Sequence, residues 1–395
     1  MLKILIKYEE KNAWMVIILL AYYFRLLFAV VIFIAAGCLN TSSALAEDLN
    51  INARAAILID GETGQVYYAK DADKRRSPAS LTKLMTAIVA VENGNLDNVV
   101  EITRRAASVS VGSTIGLDKG DKITLDNLLK AALITSANDS TVAIAEHVGG
   151  SHDAFLYQMN RKALLIGALD TKYANTNGYY DPKHYSTAYD LALIARYALQ
   201  KPRIRELVST RETIVKWASP EKEREVRNTN RLLFTEEVKG INGVKTGSTA
   251  RAGNCLIASA TKGDKQFIAV VLHAGNRYRE AVKLLEYGFE QVKPVVIFPA
   301  GKKLGEVAVQ NGIESKVTVT VADPVRVNVA GDQLKNIKVK ITLDPMPTAP
   351  VRQGQVLGSA YFSINGYKLT KVPLVASKEV EPKAFLNRLL YRMSE

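Results

Sequence analysis

The sequence predicts an α+β fold, in which an antiparallel sheet flanked by helices is followed by a small all-β domain and a C-terminal amphipathic helix. In the first domain, strand patterns stand before and after a run of helical periodicity, an order that favours α+β over a βαβ series. Period-two alternation takes over after Lys293. We expect a signal peptide at residues 1–46, a first domain at 47–293, a β-sandwich domain at 294–380 and an amphipathic helix at 381–395.

Composition restricts the functional classes. The 395 residues, 48% of them hydrophobic, suit a globular chain of about two domains at ~150 residues each. Two cysteines exclude a disulfide framework, and the four histidines (His147, His152, His184 and His273) do not stand at metal-ligand spacing. We therefore expect no metal and no cofactor. The net charge of +13 is compatible with nucleic acid, anionic lipid or an acidic polymer as partner.

The N-terminal segment has the pattern of a secretory signal. Lysines precede an apolar stretch at residues 13–39 whose only charge is Arg25, and Ala44-Leu45-Ala46 forms a cleavage site. The apolar stretch is longer than usual, so two alternatives stay open: translation starts at Met15, or the segment is retained as a membrane anchor. Lipid attachment at Cys38 is a third alternative. Secretion and the lack of nucleic-acid-binding signatures argue against nucleic acid, and the charge then suits a surface that faces an anionic envelope.

Local patterns place the elements of the first domain. Two apolar stretches around a glycine-bounded turn predict a β-hairpin, and Pro78 suits the first turn of a helix that stops at Asn93-Gly94. Apolar residues at i, i+3, i+4, i+7 and i+8 from Leu125 predict an amphipathic helix. The predicted strands are 55–60, 65–69, 243–247, 254–261 and 266–273, with a turn at 262–265, and the predicted helices are 77–93, 125–135, 141–148, 153–166, 188–199 and 279–292.

The second domain and the tail have different patterns. Residues 316–321 and 337–342 alternate at period two, and three prolines between residues 345 and 350 separate later strands. In the tail, apolar side chains from Phe385 to Met393 form one helical stripe with basic residues beside it. We expect this helix to lie in a membrane interface, and the alternative is a helix docked on its own domain.

Three short motifs carry the candidate chemistry. Ser-x-x-Lys occurs three times and Ser-x-Asn twice, so neither is specific alone, whereas Lys245-Thr246-Gly247 occurs once. Among the repeated motifs, only Ser80 opens a predicted helix and only Ser136 follows a helix of the same domain. Lys245 lies on a strand before an antiparallel hairpin. The other copies of the repeated motifs begin at Ser219, Ser259 and Ser363.

Ser80 and Lys83 have the residue types of a nucleophile and its base. A serine hydroxyl is a weak nucleophile until a base takes its proton. One helical turn brings Lys83 onto the face of Ser80, and the free N–H groups at a helix start suit a developing oxyanion. A lysine can act as a base only if its pKa falls, which burial and the nearby cation of Lys245 would cause.

The other motif residues suit the substrate. Lys245 can also bind a substrate carboxylate, and Ser136 can relay a proton to the leaving amine. We expect Asn138 to fix Lys83 and the substrate amide. Gly247 lets a substrate backbone lie against its strand.

These motifs, in this order, resemble those of the penicillin-binding proteins and serine β-lactamases, and most closely the low-molecular-mass D-alanyl-D-alanine carboxypeptidases of peptidoglycan maturation. The resemblance covers most of the mature chain, including the β domain and the tail. It implies a β-lactamase/transpeptidase-like fold and a serine D,D-carboxypeptidase that removes the terminal D-alanine from stem pentapeptides through an acyl-enzyme. The segments that carry it are 78–86, 136–139, 175–178, 185–192 and 240–247.

The resemblance also implies partners, a location and residue roles. The partners are peptidoglycan stem peptides, β-lactam antibiotics such as penicillins, and the membrane surface. The location is the bacterial cell envelope, at the periphery of the cytoplasmic membrane. The oxyanion hole is formed by backbone N–H groups of Ser80 and Ser248, and Ser248 stands where many relatives have histidine. The implied site residues are Ser80 (acyl-ester nucleophile), Lys83 (general base), Ser136 (proton relay), Asn138, and for substrate binding Lys245, Thr246, Gly247 and Ser248.

Other functions are weighed against this one. A conventional Ser-His-Asp hydrolase is disfavoured because no Gly-x-Ser-x-Gly occurs, and a class A β-lactamase because no Glu-x-x-Leu-Asn stands between the second and third motifs. A non-catalytic peptidoglycan-binding scaffold is disfavoured because all three motifs are intact. D,D-transpeptidase or endopeptidase activity stays an alternative, since one acyl-enzyme partitions between water and an amine. Arg231 and Arg251 flank the third motif, where we expect surface roles in preference to carboxylate binding.

Overall fold

Turn residues and apolar periodicity divide the chain into short, regular elements. The structure is a computed structural model that describes residues 49–383. The helices are α1 (Lys83–Asn93), α2 (Arg104–Ala107), α3 (Leu125–Ile134), α4 (Asn138–Gly149), α5 (His152–Ile166), α6 (Ala188–Leu199), α7 (Pro202–Ser209) and α8 (Arg277–Gln291). The strands are β1 (Ala53–Asp60), β2 (Val66–Lys70), β3 (Val99–Glu101), β4 (Lys122–Thr124), β5 (Glu212–Ser219), β6 (Glu223–Arg227), β7 (Ile241–Thr249), β8 (Gly253–Lys262), β9 (Lys265–Ala274), β10 (Val292–Phe298), β11 (Lys303–Ala308), β12 (Lys316–Val321), β13 (Val325–Ala330), β14 (Ile337–Leu343), β15 (Val356–Ile364) and β16 (Tyr367–Ala376).

A five-stranded antiparallel sheet organises the first region, with strand order β2-β1-β9-β8-β7. The predicted hairpin turn joins β8 to β9, where Gly263 has a φ of +61° that favours glycine. Helices α6 and α8 pack against this sheet, and their apolar residues join its core. Strand β7 lies at the edge of the sheet, and this position leaves its outer side open to another strand.

Several helices begin where a side chain accepts a backbone N–H. The Thr124 hydroxyl accepts from Asn127 at the start of α3, and Thr187 accepts from Asp190 at the start of α6. Asn276 accepts from Arg279 at the start of α8. Each bond satisfies one of the N–H groups that the first turn leaves unpaired.

Strand alternation builds the C-terminal region. Its larger sheet has the order β11-β12-β16-β15-β14, and β10 pairs with β13. Buried valines alternate with more exposed residues along β12, and Phe362 packs edge-on against Phe298 at 5.5 Å in the same core. The Tyr367 hydroxyl donates to Asp73 Oδ2 at 2.7 Å, so this region contacts the first one. The predicted α+β class and the C-terminal all-β region are confirmed.

Several boundaries differ from the prediction. Helices α4 and α8 begin at Asn138 and Arg277, earlier than their apolar patterns indicate, because polar residues form their first turns. The helix predicted to open at residue 77 begins as a 3₁₀ turn, Ala79–Thr82, and is α-helical only from Lys83. Helix α7 and the β5–β6 hairpin were not predicted.

Two predicted segments, residues 1–46 and the amphipathic stripe from Phe385 to Met393, lie outside the described residues. Within residues 49–383, no helix combines the length and the apolar character needed to cross a membrane.

Candidate active site

The 3₁₀ turn that carries Ser80 is shaped by two glycines from distant parts of the chain. A Cβ on Gly178 would lie 1.9 Å from the carbonyl oxygen of Ala79, and a Cβ on Gly247 would lie 2.9 Å from the backbone nitrogen of Ser80. Ala79 itself has a φ of +48°, a strained value for a residue with a Cβ. Tertiary contact therefore overrides the regular helix start that the local sequence favours, and it fixes Ser80 beside β7.

Lys83 lies one turn beyond Ser80 and is fully buried. Its Nζ donates to Ser80 Oγ at 2.8 Å and to the backbone carbonyl of Asn177 at 2.8 Å. The pKa of Lys83 lies well below its ordinary value, chiefly because the side chain is buried and secondly because of the positive charge of Lys245. The charge of Asp139 opposes this shift. A lysine in this environment favours the neutral form, which can accept a proton from Ser80.

Lys245 is the second buried cation of the site. Burial, followed by the charge of Arg277, lowers the pKa of Lys245 to about 7. Its Nζ donates to the carbonyl of Thr246 at 3.1 Å, and the Thr246 hydroxyl lies 2.6 Å from that of Thr229. In the described part of the chain, no carboxylate is hydrogen-bonded to the Nζ of either buried lysine. Burying both lysines without such a partner costs free energy. That cost is typical of a functional site.

The second motif approaches from the loop before α4. Ser136 has a φ of +64° and is 8% exposed. The Asn138 amide donates to the carbonyl of Val111 at 2.8 Å and to the Tyr179 hydroxyl at 3.1 Å. We expected Asn138 to fix Lys83, but its amide nitrogen instead binds the loop that contains Val111. Its Oδ1 is buried and has no hydrogen-bond partner among residues 49–383.

The same loop is bound by the neighbouring carboxylate. Asp139 Oδ2 accepts the backbone N–H groups of Ile115 and Gly116 at 3.0 Å each, and that of Leu117 at 3.3 Å. Burial nevertheless raises the pKa of Asp139, because desolvation outweighs these hydrogen bonds. The pair Asn138–Asp139 thus fixes a loop beside the cleft as well as the start of α4.

A buried histidine supports the serine turn from behind. The backbone N–H of Ala174 donates to His184 Nδ1 at 3.2 Å, so the ring proton resides on Nε2. Nε2 then donates to the Thr82 hydroxyl at 2.8 Å, and that hydroxyl donates to the carbonyl of Ala79 at 2.8 Å. Burial lowers the pKa of His184 to about 4. The imidazole is therefore neutral at neutral pH, and this series of hydrogen bonds is intact.

Comparison with known families accounts for nearly all of the described chain. Residues 41–276 match the family described as D-alanyl-D-alanine carboxypeptidase. This chain belongs to that family. Residues 289–382 match the C-terminal domain of penicillin-binding protein 5, which continues the family's layout through the β region.

Individual family members are similar along most of their length. The chain is 32% identical over 357 residues to the D-alanyl-D-alanine carboxypeptidase DacF of Bacillus subtilis, covering 88% of this chain and 91% of the relative. It is 33% identical over 356 residues to DacC of Escherichia coli, covering 86% and 87%. Among solved structures, the carboxypeptidase DacD of Francisella tularensis aligns with a TM-score of 0.67 at 29% identity, covering 85% of this chain and 95% of that one.

A transpeptidase structure is also similar. A serine-to-alanine mutant of the Streptomyces K15 DD-transpeptidase aligns with a TM-score of 0.58 at 32% identity, covering 61% of this chain and 98% of that one.

Two candidate site groups were missed from the sequence. The carbonyl of Asn177 binds Lys83, but a backbone acceptor has no sequence signature, although segment 175–178 was part of the resemblance. Arg277 stands 30 residues beyond Gly247, yet its Nη1 donates to the Gly247 carbonyl at 2.9 Å and to Ser248 Oγ at 2.7 Å. The polar residues at the start of α8 were the signal in the sequence that could have pointed to Arg277. Of the two arginines considered earlier, Arg231 lies over the ring of Tyr278 at 4.6 Å.

Proposed function

We propose that Ser80 is the nucleophile through which this serine D,D-carboxypeptidase removes the terminal D-alanine of a peptidoglycan stem pentapeptide. The observation that carries the proposal is the 2.8 Å contact between Ser80 Oγ and the fully buried Nζ of Lys83, whose pKa is lowered. A neutral Lys83 can take the Ser80 proton without help from histidine or metal. Burial is the main cause of the lowered pKa of Lys83, and Lys245 of the third motif adds a nearby positive charge that lowers it further.

The acylation step follows from these positions. Ser80 Oγ bonds to the carbonyl carbon of the penultimate D-alanine as its proton passes to Lys83. The backbone N–H groups of Ser80 and Ser248 stabilise the oxyanion. The C–N bond then breaks, and the leaving amine of the terminal D-alanine receives a proton through Ser136. Water then attacks the ester carbonyl as Lys83 takes one of its protons. The bond to Ser80 Oγ breaks, that oxygen receives the proton back from Lys83, and the peptide leaves with a new terminal carboxylate.

Substrate binding is proposed along the open edge of β7. A stem peptide added there as an antiparallel strand lies with its C-terminus towards Lys245 and its upstream residues towards Thr249. Lys245, Thr246 and Arg277 are proposed to bind the terminal carboxylate, and Gly247 permits close approach. The unpartnered Oδ1 of Asn138 is available to accept an amide N–H of the peptide.

Release of free D-alanine tests this function. We expect release from a pentapeptide that ends in D-Ala-D-Ala, covalent labelling by a fluorescent penicillin, and competition between the two. The assay is run with and without an amine acceptor, because transfer to the amine in place of water would assign a transpeptidase. No release from any D-Ala-D-Ala peptide would favour a non-catalytic peptidoglycan-binding role.

We also propose that residues 47–293 form the catalytic domain, that residues 294–380 form a separate β domain, and that residues 381–395 attach the protein to the cytoplasmic membrane surface. Cleavage of residues 1–46 would place it in the cell envelope. Truncation after Glu381 is expected to move the protein from the membrane fraction to the soluble fraction, and an unchanged distribution would contradict the attachment. N-terminal sequencing of the purified protein shows first whether a retained anchor would mask the result.

A further inference from the structure

A cavity of about 770 Å³ opens beside the serine turn, and its charge is not explained by the reaction itself. Its lining includes four arginines, Arg54, Arg75, Arg76 and Arg251, but only one carboxylate, that of Asp181. Among residues 49–383, Arg75 alone of the four has a carboxylate partner, Asp170 at 2.7 Å. The cavity therefore has an excess of positive charge, which suits an anionic ligand.

Contacts with the protein orient three of the four arginines. The Arg76 guanidinium donates to the backbone carbonyl of Arg54 at 2.9 Å, and the Arg76 backbone forms a β-bridge with Ser186. Arg75 lies 4.6 Å over the ring of Tyr185, and Arg251 lies 5.5 Å from the ring of Tyr180. Guanidinium groups that are already oriented lose less entropy when they bind a carboxylate.

The cavity lies where the upstream part of a β7-bound peptide would pass. Ser77 in its lining precedes Ser80 by three residues, and Ala250 follows Ser248 by two. A peptide antiparallel to β7 runs from this end of the strand towards Lys245. A residue two positions before the penultimate D-alanine lies within about 10 Å of the scissile carbonyl in an extended chain.

We propose that this cavity is a subsite for a free carboxylate of the stem peptide, on a residue upstream of the D-Ala-D-Ala terminus. The inference rests on the proposed function, because it needs the peptide to lie along β7. A phosphate-bearing polymer has similar chemistry, but the lining residues Ser77 and Ala250, close in sequence to Ser80 and Ser248, favour a part of the reacting peptide. We choose Arg54 and Arg251 as the groups to test because neither has an ion-pair partner in the described part of the chain. Arg76 also lacks one there, but its guanidinium already donates to the Arg54 carbonyl.

Two matched peptides test the subsite. One is L-Ala-γ-D-Glu-(Nε-acetyl-L-Lys)-D-Ala-D-Ala with the free α-carboxylate, and the other has a carboxamide at that carboxylate. For the wild-type protein we expect kcat/KM for D-alanine release to be about tenfold higher with the carboxylate peptide, a factor typical of one charge-assisted contact. The double variant R54Q/R251Q is expected to lose this preference, while its rate with the carboxamide peptide stays within about twofold of wild type.

Controls separate charge in the cavity from overall charge and from misfolding. Arg352 is exposed in the C-terminal region, and R352Q is expected to keep the tenfold preference. The rate of penicillin labelling reports whether R54Q/R251Q retains an intact serine turn. Equal use of the two peptides by wild type, or equal loss on both in the double variant, would overturn the subsite.

Two further outcomes are informative. Release of D-alanine from the carboxamide peptide supports the proposed function whatever the subsite does, whereas no release from either peptide overturns both proposals. Inorganic phosphate at constant ionic strength is the probe for the competing ligand. Inhibition by phosphate that requires Arg54 and Arg251, together with no preference between the peptides, would assign the cavity to a phosphate ligand and overturn the stem-peptide proposal.

Discussion

The cleft around Ser80 and the C-terminal β region are built by opposite rules. Strands such as β12 bury valines and leave the residues between them more exposed, so the local pattern agrees with the packing there. The cleft buries two lysines, Lys83 and Lys245, and holds Ala79 and Ser136 at positive φ. The β region shows what stability alone requires of this chain. The departures in the cleft are costs that the proposed chemistry explains.

The largest expected effect comes from removing the buried base. Lys83→Met keeps the length and packing of the side chain but cannot accept a proton, so we expect kcat/KM for D-alanine release to fall about 10⁴-fold. Because a buried polar amine is replaced by an apolar side chain of similar length, the free energy of unfolding should stay the same or rise. The matched control is Lys262→Met, from another Ser-x-x-Lys copy, which should keep its activity. Comparable losses in both variants would contradict the role of Lys83.

The second effect concerns the cation beside the base. Lys245→Gln removes the charge that lowers the pKa of Lys83, so the rising limb of the profile of kcat/KM against pH should move to higher pH. The sign follows because Lys83 must be neutral to act, and its pKa rises when the charge of Lys245 is removed. The maximal rate is expected to fall by about 10²–10³-fold, since a substrate-carboxylate contact is lost as well. If the rising limb of the pH profile does not move, the charge of Lys245 does not lower the pKa of Lys83.

A tightly packed glycine in the cleft and an open glycine in the β region give a contrast in stability. Gly178→Ala forces a Cβ against the Ala79 carbonyl at a φ of +95°, and we expect a loss of about 2–4 kcal/mol in the free energy of unfolding. Penicillin labelling should slow at least about tenfold, because the serine turn must shift. In the β region, a Cβ on Gly331 meets no atom within 4 Å, so Gly331→Ala should change stability by less than about 0.5 kcal/mol. Urea unfolding of both variants measures the contrast.

The smallest predicted effect concerns acid stability and comes from His184. Its pKa is about 4 in the folded chain and about 6.5 when unfolded, so the unfolded state binds the proton more readily between these values. The stabilisation is present above pH 6.5 and is lost as pH falls towards 4. Between pH 6.5 and 4, the free energy of unfolding of the wild type should fall by up to about 3 kcal/mol more than that of His184→Gln. Urea unfolding at a series of pH values measures this difference. Parallel curves for the two proteins would contradict this.

The contrast between the regions also explains how much the sequence could predict. Period-two alternation located β12 because local pattern and packing agree there. It also located β14, although Val339 and Ile341 of that strand are exposed. The three motifs identified Ser80, Ser136 and Lys245 as candidates, because the chemistry of a side chain can be inferred from its residue type and spacing. The 3₁₀ turn, the Asn177 carbonyl and the approach of Arg277 arise from contacts between distant segments. No local pattern records such contacts, and the regular helix predicted from residue 77 was wrong for that reason.

The most direct measurement of the central claim is the site of the penicillin adduct. Intact-mass and peptide-mapping spectrometry after incubation with a penicillin should show one acyl group on the peptide that contains Ser80. The adduct should be absent in Ser80→Ala and unchanged in Ser219→Ala, which alters another Ser-x-x-Lys copy. An adduct that persists in Ser80→Ala, or that maps to another residue, would contradict Ser80 as the nucleophile.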